Sequence, residues 1–385
     1  GFGRLYFLAR DGQIMMKIAE IINNKRKLGL ELRYLYVARQ TSHFSAIFDL
    51  CERDIRIATI DFGRLTKNML AWRLNLTYEE LDSYVSNFEG RRTPEGKDEK
   101  LPEKSIEIIR NCLRSCEPLR RRIIDIAAEK RKSMLRYLEQ EGVFDSSRVA
   151  VVDIGWTGEM QDSLYRIISS RNPDIELFGY YYGITGISPD TSEFNVKRSY
   201  AINPGQTSDF SFVTALELLT KAPHGTTFDY RESENGRMEP CTRPHANDAQ
   251  IEAVQQGILD FSSNFEDIQS RFPELRGAHA VFAVKLLDLL YRPDYKTASV
   301  LGGMLHSSDQ NDAEPRETAP VFSVPGALYY ALCANSTRKK EITIWKEASL
   351  ARSGKLPRYI VEYLDAAAIL RKIKKAAGNF LNRYN

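Results

Sequence analysis

The fold of this chain is decided by the stretch Val149-Ala150-Val151-Val152-Asp153-Ile154-Gly155-Trp156-Thr157-Gly158-Glu159-Met160-Gln161. Four small or β-favouring apolar residues run into an acid, a short loop with two glycines follows, and residues 162–168 have the pattern of an amphipathic helix. A strand that leads through a glycine-containing turn into a helix presents backbone N–H groups at the positive end of the helix dipole, which suits a phosphate. Most turns of this kind in α/β proteins bind nothing, so phosphate binding depends on what the rest of the chain supplies.

The beginning of the chain repeats this order of elements. The patterns predict a strand over residues 5–9, a helix over 13–22 and a second strand over 32–38. A helix between two strands forms a crossover that makes the strands parallel. A further strand is predicted over residues 175–184, so the sequence indicates an α/β protein with a Rossmann-like parallel sheet.

Polar and glycine residues follow each of the first three predicted strands. In an open parallel sheet the ligand lies outside the carboxyl ends of the strands. These side chains are therefore expected on one rim of the sheet: Arg10, Asp11 and Gly12, then Arg39, Thr41 and Ser42, then Asp153, Gly155, Trp156, Thr157 and Gly158.

The remaining segments predict a helical insertion and a helical C-terminal region. Residues 1–50 and 143–235 are interpreted as the α/β core, 51–142 as a helical insertion or cap, and 236–385 as a mostly helical region packed on the core. Residues 221–230 are interpreted as a polar, turn-forming segment and 232–247 as a hairpin or loop. Within the former, His224 and Thr226 are candidates to contact ligand oxygens; an exposed loop histidine is the alternative.

Composition excludes several classes of function. The chain has 385 residues, 43% of them hydrophobic and 27% charged, and a net charge of only +3, so no nucleic-acid partner is indicated. The scattered cysteines predict neither zinc nor disulfides and favour a reducing, cytoplasmic compartment. They are Cys51, Cys112, Cys116, Cys241 and Cys333.

The two ends of the chain suggest its context. No apolar run is long enough to span a membrane. Because the chain lacks an initiator Met and begins almost at once with a strand, it is interpreted as a module of a longer polypeptide. The basic, amphipathic residues 371–381 predict either peripheral contact with an anionic membrane surface or an ordinary solvated helix.

The rim residues together define a two-ended binding site. Guanidinium groups pair bidentately with phosphate oxygens, and glycine lets backbone N–H groups approach closely. Aspartate holds sugar hydroxyls, or a Mg²⁺ ion that bridges a diphosphate. The constellation therefore predicts a substrate with a phosphate at one end and a diphosphate at the other.

On these residues the chain resembles the type I phosphoribosyltransferase family. Residues 5–12 are similar to the strand and loop that contact the pyrophosphate of phosphoribosyl pyrophosphate, and 151–158 to the strand and loop that hold its 5-phosphate. The sequence departs from the family pattern in one acid, Asp153 followed by Ile154, where a pair is usual, and in a shorter loop that carries Trp156. The resemblance covers roughly the first half of the chain without the insertion.

A narrower resemblance covers most of the chain. Residues 7–12 (FLARDG), 34–39 (YLYVAR), 152–158 (VDIGWTG) and 224–227 (HGTT) resemble the module that follows a haloacid-dehalogenase-type phosphatase in bacterial polysaccharide-assembly proteins. That resemblance implies a ribofuranosyltransferase that uses phosphoribosyl pyrophosphate and Mg²⁺. Its acceptor would be a lipid-linked glycan at the inner face of the membrane, and an N-terminal phosphatase module would then remove the phosphate.

The resemblance also implies roles for the rim. Asp11 and Asp153 would be catalytic and would contact Mg²⁺ directly or through water, with Asp11 either the general base or an indirect metal contact. Arg10 and Arg39 would stabilise the departing pyrophosphate. Substrate contacts would further come from Gly12, Thr41, Ser42, Gly155, Trp156, Thr157, Gly158, His224 and Thr226.

Two other readings compete with this one. A non-catalytic module that binds a sugar phosphate or docks a glycosyltransferase is favoured by the missing second acid beside Asp153. A complete hydrolase is the weaker reading, because no Asp-x-Asp nucleophile motif follows a predicted strand.

Overall fold

The structure is a computed structural model that describes residues 1–61, 64–88, 93–186, 191–205, 210–244, 249–277, 288–306, 316–333, 339 and 342–367. The predicted amphipathic tail at residues 371–381 lies outside these described residues. The chain forms two compact units. The first comprises residues 1–209, 216–280 and 307–314, and the second comprises residues 210–215, 281–306 and 315–385.

A five-stranded, fully parallel sheet forms the centre of the first unit, which confirms the predicted α/β class. Its strands are β1 (Arg4–Leu8), β2 (Glu31–Leu35), β3 (Arg148–Asp153), β4 (Glu176–Gly183) and β5 (Asn195–Ile202). The sequence did not predict β5. Strand β2 also ends three residues earlier than predicted, because the Val37 N–H turns back to the Leu35 carbonyl at 2.8 Å.

Helices cover both faces of this sheet. They are α1 (Gly12–Arg26), α7 (Glu117–Gln140) and α8 (Glu159–Arg171). Between β2 and β3 the chain also forms α2 (Arg39–Ser45), α3 (Glu52–Ala58), α4 (Lys67–Arg73), α5 (Tyr78–Ser86) and α6 (Glu103–Ser115), and buried side chains of residues 44–127 make a separate hydrophobic cluster. Side chains alternate along a strand. Tyr6 and Leu8 accordingly lie in the core that α7 and α8 complete, whereas Phe7 contacts the start of α1.

The order of the strands fixes where a ligand can bind. The sheet runs β2-β1-β3-β4-β5, so the chain proceeds in opposite directions on the two sides of the β1/β3 pair. In an open parallel sheet, ligands bind outside the carboxyl ends of the strands at such a switch point. The carboxyl ends of β1 and β3 are followed by Asp11 and by the loop after Asp153.

The segment that follows the sheet is more regular than predicted. After α9 (Phe210–Thr220), strand β6 (Thr227–Glu232) pairs antiparallel with β7 (Met238–Thr242), so the interpretation of residues 221–230 as a polar turn is wrong from Thr227 onward. Tyr230 explains the difference. It is buried, its ring stacks on Tyr137 with centroids 4.7 Å apart, and its hydroxyl donates to the Tyr36 carbonyl at 2.8 Å. Helix α10 (Ala249–Arg271) follows the hairpin.

The second unit has a small core of its own. Its elements include α11 (Tyr295–Gly302), β8 (Leu305–His306), β9 (Arg316–Glu317), α12 (Val324–Leu332), α13 (Lys346–Arg352) and a helix over residues 355–367. Trp345 is buried and its indole N–H donates to the Leu290 carbonyl at 2.8 Å. In neither unit is any described helix long and apolar enough to cross a bilayer.

Candidate functional site

The first wall of the site is the junction of β1 and α1. Arg10 and Asp11 follow β1, and α1 begins at Gly12. A Cβ at Gly12 would lie 2.9 Å from the carbonyl carbon of Phe7, so only glycine lets the helix start this close to the strand. The structure therefore places Arg10 and Asp11 at the carboxyl end of β1, as the sequence predicts.

The second wall is the end of β3, which is hydrogen-bonded to β1. Asp153 is only 5% exposed, and its Oδ1 accepts the Ile154 backbone N–H at 2.8 Å. Burial raises the pKa of Asp153 well above its usual range, and the negative charge of Asp11 raises it further. The two predicted acids are therefore brought close enough to act on each other.

The loop after Asp153 is shaped by two glycines with positive φ. Gly155 has φ +146° and lies against the Gly183 carbonyl, and Gly158 has φ +74°. The loop is fastened to the end of β4 by two backbone bonds: Gly183 N–H to the Ile154 carbonyl at 3.1 Å and Thr185 N–H to the Trp156 carbonyl at 2.8 Å. A side chain at either glycine would displace this anchored loop.

This loop presents unused donors. Within the described part of the chain, the backbone N–H groups of Gly155, Trp156, Thr157 and Gly158 donate no hydrogen bond. They lead directly into the N-terminus of α8, whose dipole favours negative charge. The strand–turn–helix geometry that the sequence predicts is therefore present here, and phosphate binding by this turn stays a prediction.

A buried polar network holds the first turn of α8 against β4 and β5. Lys197 forms an ion pair with Asp162, whose Oδ1 also accepts a hydrogen bond from Asn195 at 2.7 Å. Gln161 donates to the Asn195 side chain at 2.7 Å and accepts from the Tyr181 hydroxyl at 2.7 Å. Since these groups satisfy one another away from water, they fix the position of the loop that precedes them.

Helix α9 brings a third acid that the sequence analysis missed. Glu217 Oε1 accepts the indole N–H of Trp156 at 3.2 Å, and one turn later the Thr220 hydroxyl donates to Asp11 Oδ1 at 2.7 Å. Burial and the charge of Asp11 raise the pKa of Glu217 to about 7. The sequence signal was a single acid among apolar residues, Ala215-Leu216-Glu217-Leu218-Leu219.

The two predicted arginines differ in their surroundings. Arg39 begins α2 and is exposed, and its guanidinium makes no hydrogen bond or ion pair with any residue that the structure describes. Arg10 is half-buried. Burial raises the pKa of Asp11, and the Thr220 hydroxyl together with the charges of Arg10 and Arg39 opposes that rise. Both cations therefore act at the acidic centre of the site.

Thr41 and Ser42 are placed differently from the other rim residues. Both side chains are buried. The Thr41 hydroxyl accepts the Ala38 N–H at 3.1 Å, and the Ser42 hydroxyl donates to the Ala38 carbonyl at 2.9 Å. These hydrogen bonds stabilise the start of α2 and thereby the position of Arg39. Contact of the two hydroxyls with a substrate stays a prediction.

His224 lies beside the ends of β1 and β2. Its Nδ1 donates to the Gly225 carbonyl at 2.9 Å, so Nε2 accepts the Tyr34 hydroxyl at 2.8 Å. That hydroxyl is also 3.3 Å from the Arg10 carbonyl oxygen. Burial lowers the pKa of His224, which keeps the ring neutral at pH 7. Thr226 is buried, and its backbone carbonyl accepts the Arg243 N–H at 2.9 Å.

The acids fit a metal that is shared with a substrate. Mg²⁺ commonly takes one or two carboxylates and completes its shell with substrate phosphates and water. Asp11 and Asp153 supply two desolvated carboxylates of this kind. Among the described residues, three potential ligands converge only at Asp49, Cys51 and Asp54, where Asp54 already accepts the Cys51 backbone N–H at the start of α3.

A neutral histidine couples α2 to α8 and predicts acid sensitivity. His43 Nδ1 lies 2.8 Å from the Ser163 hydroxyl, and burial with the charges of Arg53 and Arg39 lowers the pKa of His43 to about 3. The unfolded chain protonates this ring near pH 6.5, so its contribution to stability is lost as the pH falls below that value. From pH 7 to pH 5 the wild type should lose about 1–2 kcal/mol more unfolding free energy than His43→Asn.

Urea denaturation at the two pH values measures this difference. Equal losses in the two proteins would show that His43 carries its proton in the folded state.

Comparison with models of known protein families gives no match, and comparison with curated proteins gives none. The chemistry of the rim is therefore the basis for assigning a function. It combines two guanidinium groups, three carboxylates and, within the described residues, a row of N–H groups that donate no hydrogen bond. Guanidinium and backbone N–H groups of this kind can bind the anionic groups of a ligand.

Proposed function

We propose that this chain is a glycosyltransferase that transfers a 5-phosphoribofuranosyl group from phosphoribosyl pyrophosphate to a glycan hydroxyl and releases pyrophosphate. On this proposal its sheet is of the type I phosphoribosyltransferase kind. The observation that carries it is that the loop of residues 155–158 after β3 and Arg10 after β1 flank the β1/β3 switch point, with Arg39 at the start of α2, after the neighbouring strand β2.

On this proposal the two anionic ends of the donor bind to different groups of the protein. The free N–H groups of residues 155–158, with the exposed Thr157, hold the 5-phosphate. Arg10 and Arg39 hold the pyrophosphate, since guanidinium pairs bidentately with phosphate oxygens. Asp153, between these ends, holds the ribose hydroxyls. Mg²⁺ bound by Asp11 or Asp153, directly or through water, would neutralise part of the pyrophosphate charge.

Transfer is a substitution at the anomeric carbon through an oxocarbenium-like state. The bond from this carbon to the pyrophosphate oxygen breaks, and the bond to the acceptor oxygen forms. Arg10 and Arg39 stabilise the charge that develops on the leaving group. Because a single displacement inverts an α-configured donor, the product is a β-linked ribofuranoside.

The wider setting comes from the resemblance of residues 7–12, 34–39 and 152–158 to modules of bacterial polysaccharide assembly. On that basis the acceptor is a lipid-linked glycan. The site faces the cytoplasm, at the inner face of the membrane when such an acceptor is bound. A phosphatase module preceding Gly1 in the full-length polypeptide then removes the 5-phosphate.

Incubation with phosphoribosyl pyrophosphate, Mg²⁺ and a galactoside-type acceptor is expected to add one ribose phosphate to the acceptor. Mass spectrometry of the acceptor measures the product, and a pyrophosphate assay gives the rate. Arg39→Gln should slow release more than a control substitution on the exposed face of α7, Lys132→Gln, because Arg39 lies at the acidic centre. Consumption of the donor without acceptor modification would instead identify a hydrolase.

A non-catalytic sugar-phosphate-binding or scaffold module is the second candidate. The position after Asp153, where the phosphoribosyltransferase pattern usually has a second acid, holds Ile154, which is 3% exposed and buried in the fold. Such a module would show a donor-dependent rise in melting temperature with no turnover across a panel of glycan acceptors. Turnover with any acceptor excludes it.

A further inference from the structure

Three side chains beside the rim form a cluster that the donor site does not use. Arg243 follows β7, and its guanidinium carbon lies 5.2 Å from the ring centroid of Trp72 on α4 and 5.3 Å from that of Phe228 on β6. Trp72 is 39% exposed and Phe228 38%, so both rings reach the surface. We call Trp72, Phe228 and Arg243 the aromatic–arginine cluster.

The guanidinium of Arg243 has no acidic partner in the cluster. Within the part of the chain that the structure describes, it makes no hydrogen bond or ion pair, and its Nε is buried without a hydrogen-bond partner. A planar guanidinium that stacks on aromatic rings keeps its N–H groups in its own plane, where they remain able to donate to a ligand. The cluster therefore combines unused donors with two partly exposed apolar rings.

A β-bulge brings Phe228 to the surface. Thr227 lies opposite Thr242, and Asp229 lies opposite Cys241. Strand β6 therefore has one extra residue at this point, which is Phe228. A bulge of this kind redirects a side chain and is over-represented next to active sites. Here it places an aromatic ring beside the guanidinium at the surface of the hairpin.

The cluster is joined to the rim from two sides. Gln40, the second residue of α2, donates its side-chain N–H to the Trp72 carbonyl at 2.9 Å. On the other side, the Arg243 backbone N–H donates to the carbonyl of Thr226 at 2.9 Å, and Thr226 is two residues after His224. All of these residues belong to the first unit. The cluster therefore borders the carboxyl ends of β1 and β2.

We infer that the aromatic–arginine cluster is the subsite that binds the acceptor glycan, an inference that rests on the ribosyl transfer proposed above. The C–H face of a sugar ring is apolar and packs on an aromatic face, and the oxygens of the sugar accept hydrogen bonds from a guanidinium. In that proposal the rim holds the donor, so the acceptor needs a separate surface next to it. A nucleic acid would instead require a row of cations along its phosphates.

Trp72→Ala and Phe228→Ala are each expected to raise KM for the acceptor by roughly tenfold, the effect of truncating an aromatic anchor in a binding site. Arg243→Gln should do the same, and Arg243→Lys should resemble it because lysine lacks the planar fork. Trp72→Tyr keeps an aromatic face and should stay close to wild type. All variants should keep kcat within a few-fold and the rise in melting temperature that phosphoribosyl pyrophosphate with Mg²⁺ produces.

Two matched controls should behave as wild type in every assay. Phe261→Ala removes an aromatic ring on α10 that is 58% exposed. Arg237→Gln removes an exposed guanidinium at the opposite end of the β6–β7 hairpin. If Trp72→Ala and Phe228→Ala keep the wild-type KM for the acceptor, the inference is overturned. Loss of the donor-induced melting shift in these variants overturns it too, because the cluster would then belong to the donor site.

Saturation-transfer NMR with a panel of methyl glycosides, in the absence of donor, measures glycan binding without turnover. The wild type should bind at least one glycoside, and Trp72→Ala and Arg243→Gln should lose that signal. A wild type that binds none of the panel, or variants that bind as well as wild type, contradicts the inference. A wild type that binds a glycoside through the cluster but transfers no ribose phosphate contradicts the proposed function and leaves the cluster as a glycan site.

Discussion

Asp153→Asn is expected to slow ribosyl transfer strongly and at the same time to make the protein more stable at neutral pH. Asp153 lies at the switch point, 5% exposed, where it would hold the ribose hydroxyls and balance the positive charge of the oxocarbenium-like state. Removing one group that stabilises transition-state charge slows a reaction on the order of 10²–10³-fold. The asparagine side chain has the same shape, so the fold should remain.

The gain in stability follows from the direction of the pKa shift. Burial, reinforced by the charges of Asp11 and Glu217, raises the pKa of Asp153 well above the ordinary 3.8. When folding raises the pKa of a carboxyl group, that group contributes fully to the unfolding free energy at pH values below its pKa in the unfolded protein. The contribution is lost as the pH rises toward the pKa in the folded protein. Asparagine cannot ionise, so the variant should exceed the wild type in unfolding free energy at pH 7, and the difference should shrink toward pH 4.

Urea denaturation at both pH values and the pyrophosphate-release assay test the two halves of this prediction. Asp174→Asn, at an exposed position between α8 and β4, should change neither property. An active Asp153→Asn would remove this residue from the site. An inactive variant that is less stable at pH 7 would show that the carboxylate is needed by the fold.

Lys197→Met is expected to cause the largest loss of stability. Lys197 and Asp162 form an ion pair in which the side chains are only 4% and 1% exposed. Removing one partner leaves a buried charge uncompensated, which typically destabilises a protein by about 3–5 kcal/mol. A Cβ on Gly158 would lie 2.6 Å from Lys197 Cδ, so the stem of the lysine also supports the loop. Donor affinity should fall together with stability.

The double variant Lys197→Met, Asp162→Asn separates charge from packing. Because no charge is then buried, much of the lost unfolding free energy should return, as replacing both members of a buried pair is often nearly neutral. Asn195, which donates to Asp162 at 2.7 Å, can donate to the new amide oxygen. A single variant that loses less than about 1 kcal/mol, or a double variant no better than the single, would show that this pair carries no such penalty.

The sequence by itself determined the strand–turn–helix units and the residues at their ends. Apolar runs, glycine turns and amphipathic helices are local patterns, so they placed Arg10, Asp11 and the 153–158 loop correctly at the ends of β1 and β3. Gly155 and Gly158 could be recognised as loop residues because glycine adopts positive φ values without a steric cost, whatever its neighbours are. Strand β5 was not predicted, since polar residues such as Lys197 and Asn195 interrupt its apolar pattern, and the partners on α8 that bury them are distant in sequence.

Only the tertiary structure decided how the site is completed. Glu217 meets Trp156 across 61 residues of sequence, and Thr220 meets Asp11 across 209. No local pattern encodes such distances, because they result from how α9 is placed at the rim of the sheet. The pKa of Glu217 near 7 likewise arises from burial beside Asp11. The sequence supplies the acids. The fold buries Glu217 near the charge of Asp11, and these two effects together bring the pKa of Glu217 to about 7.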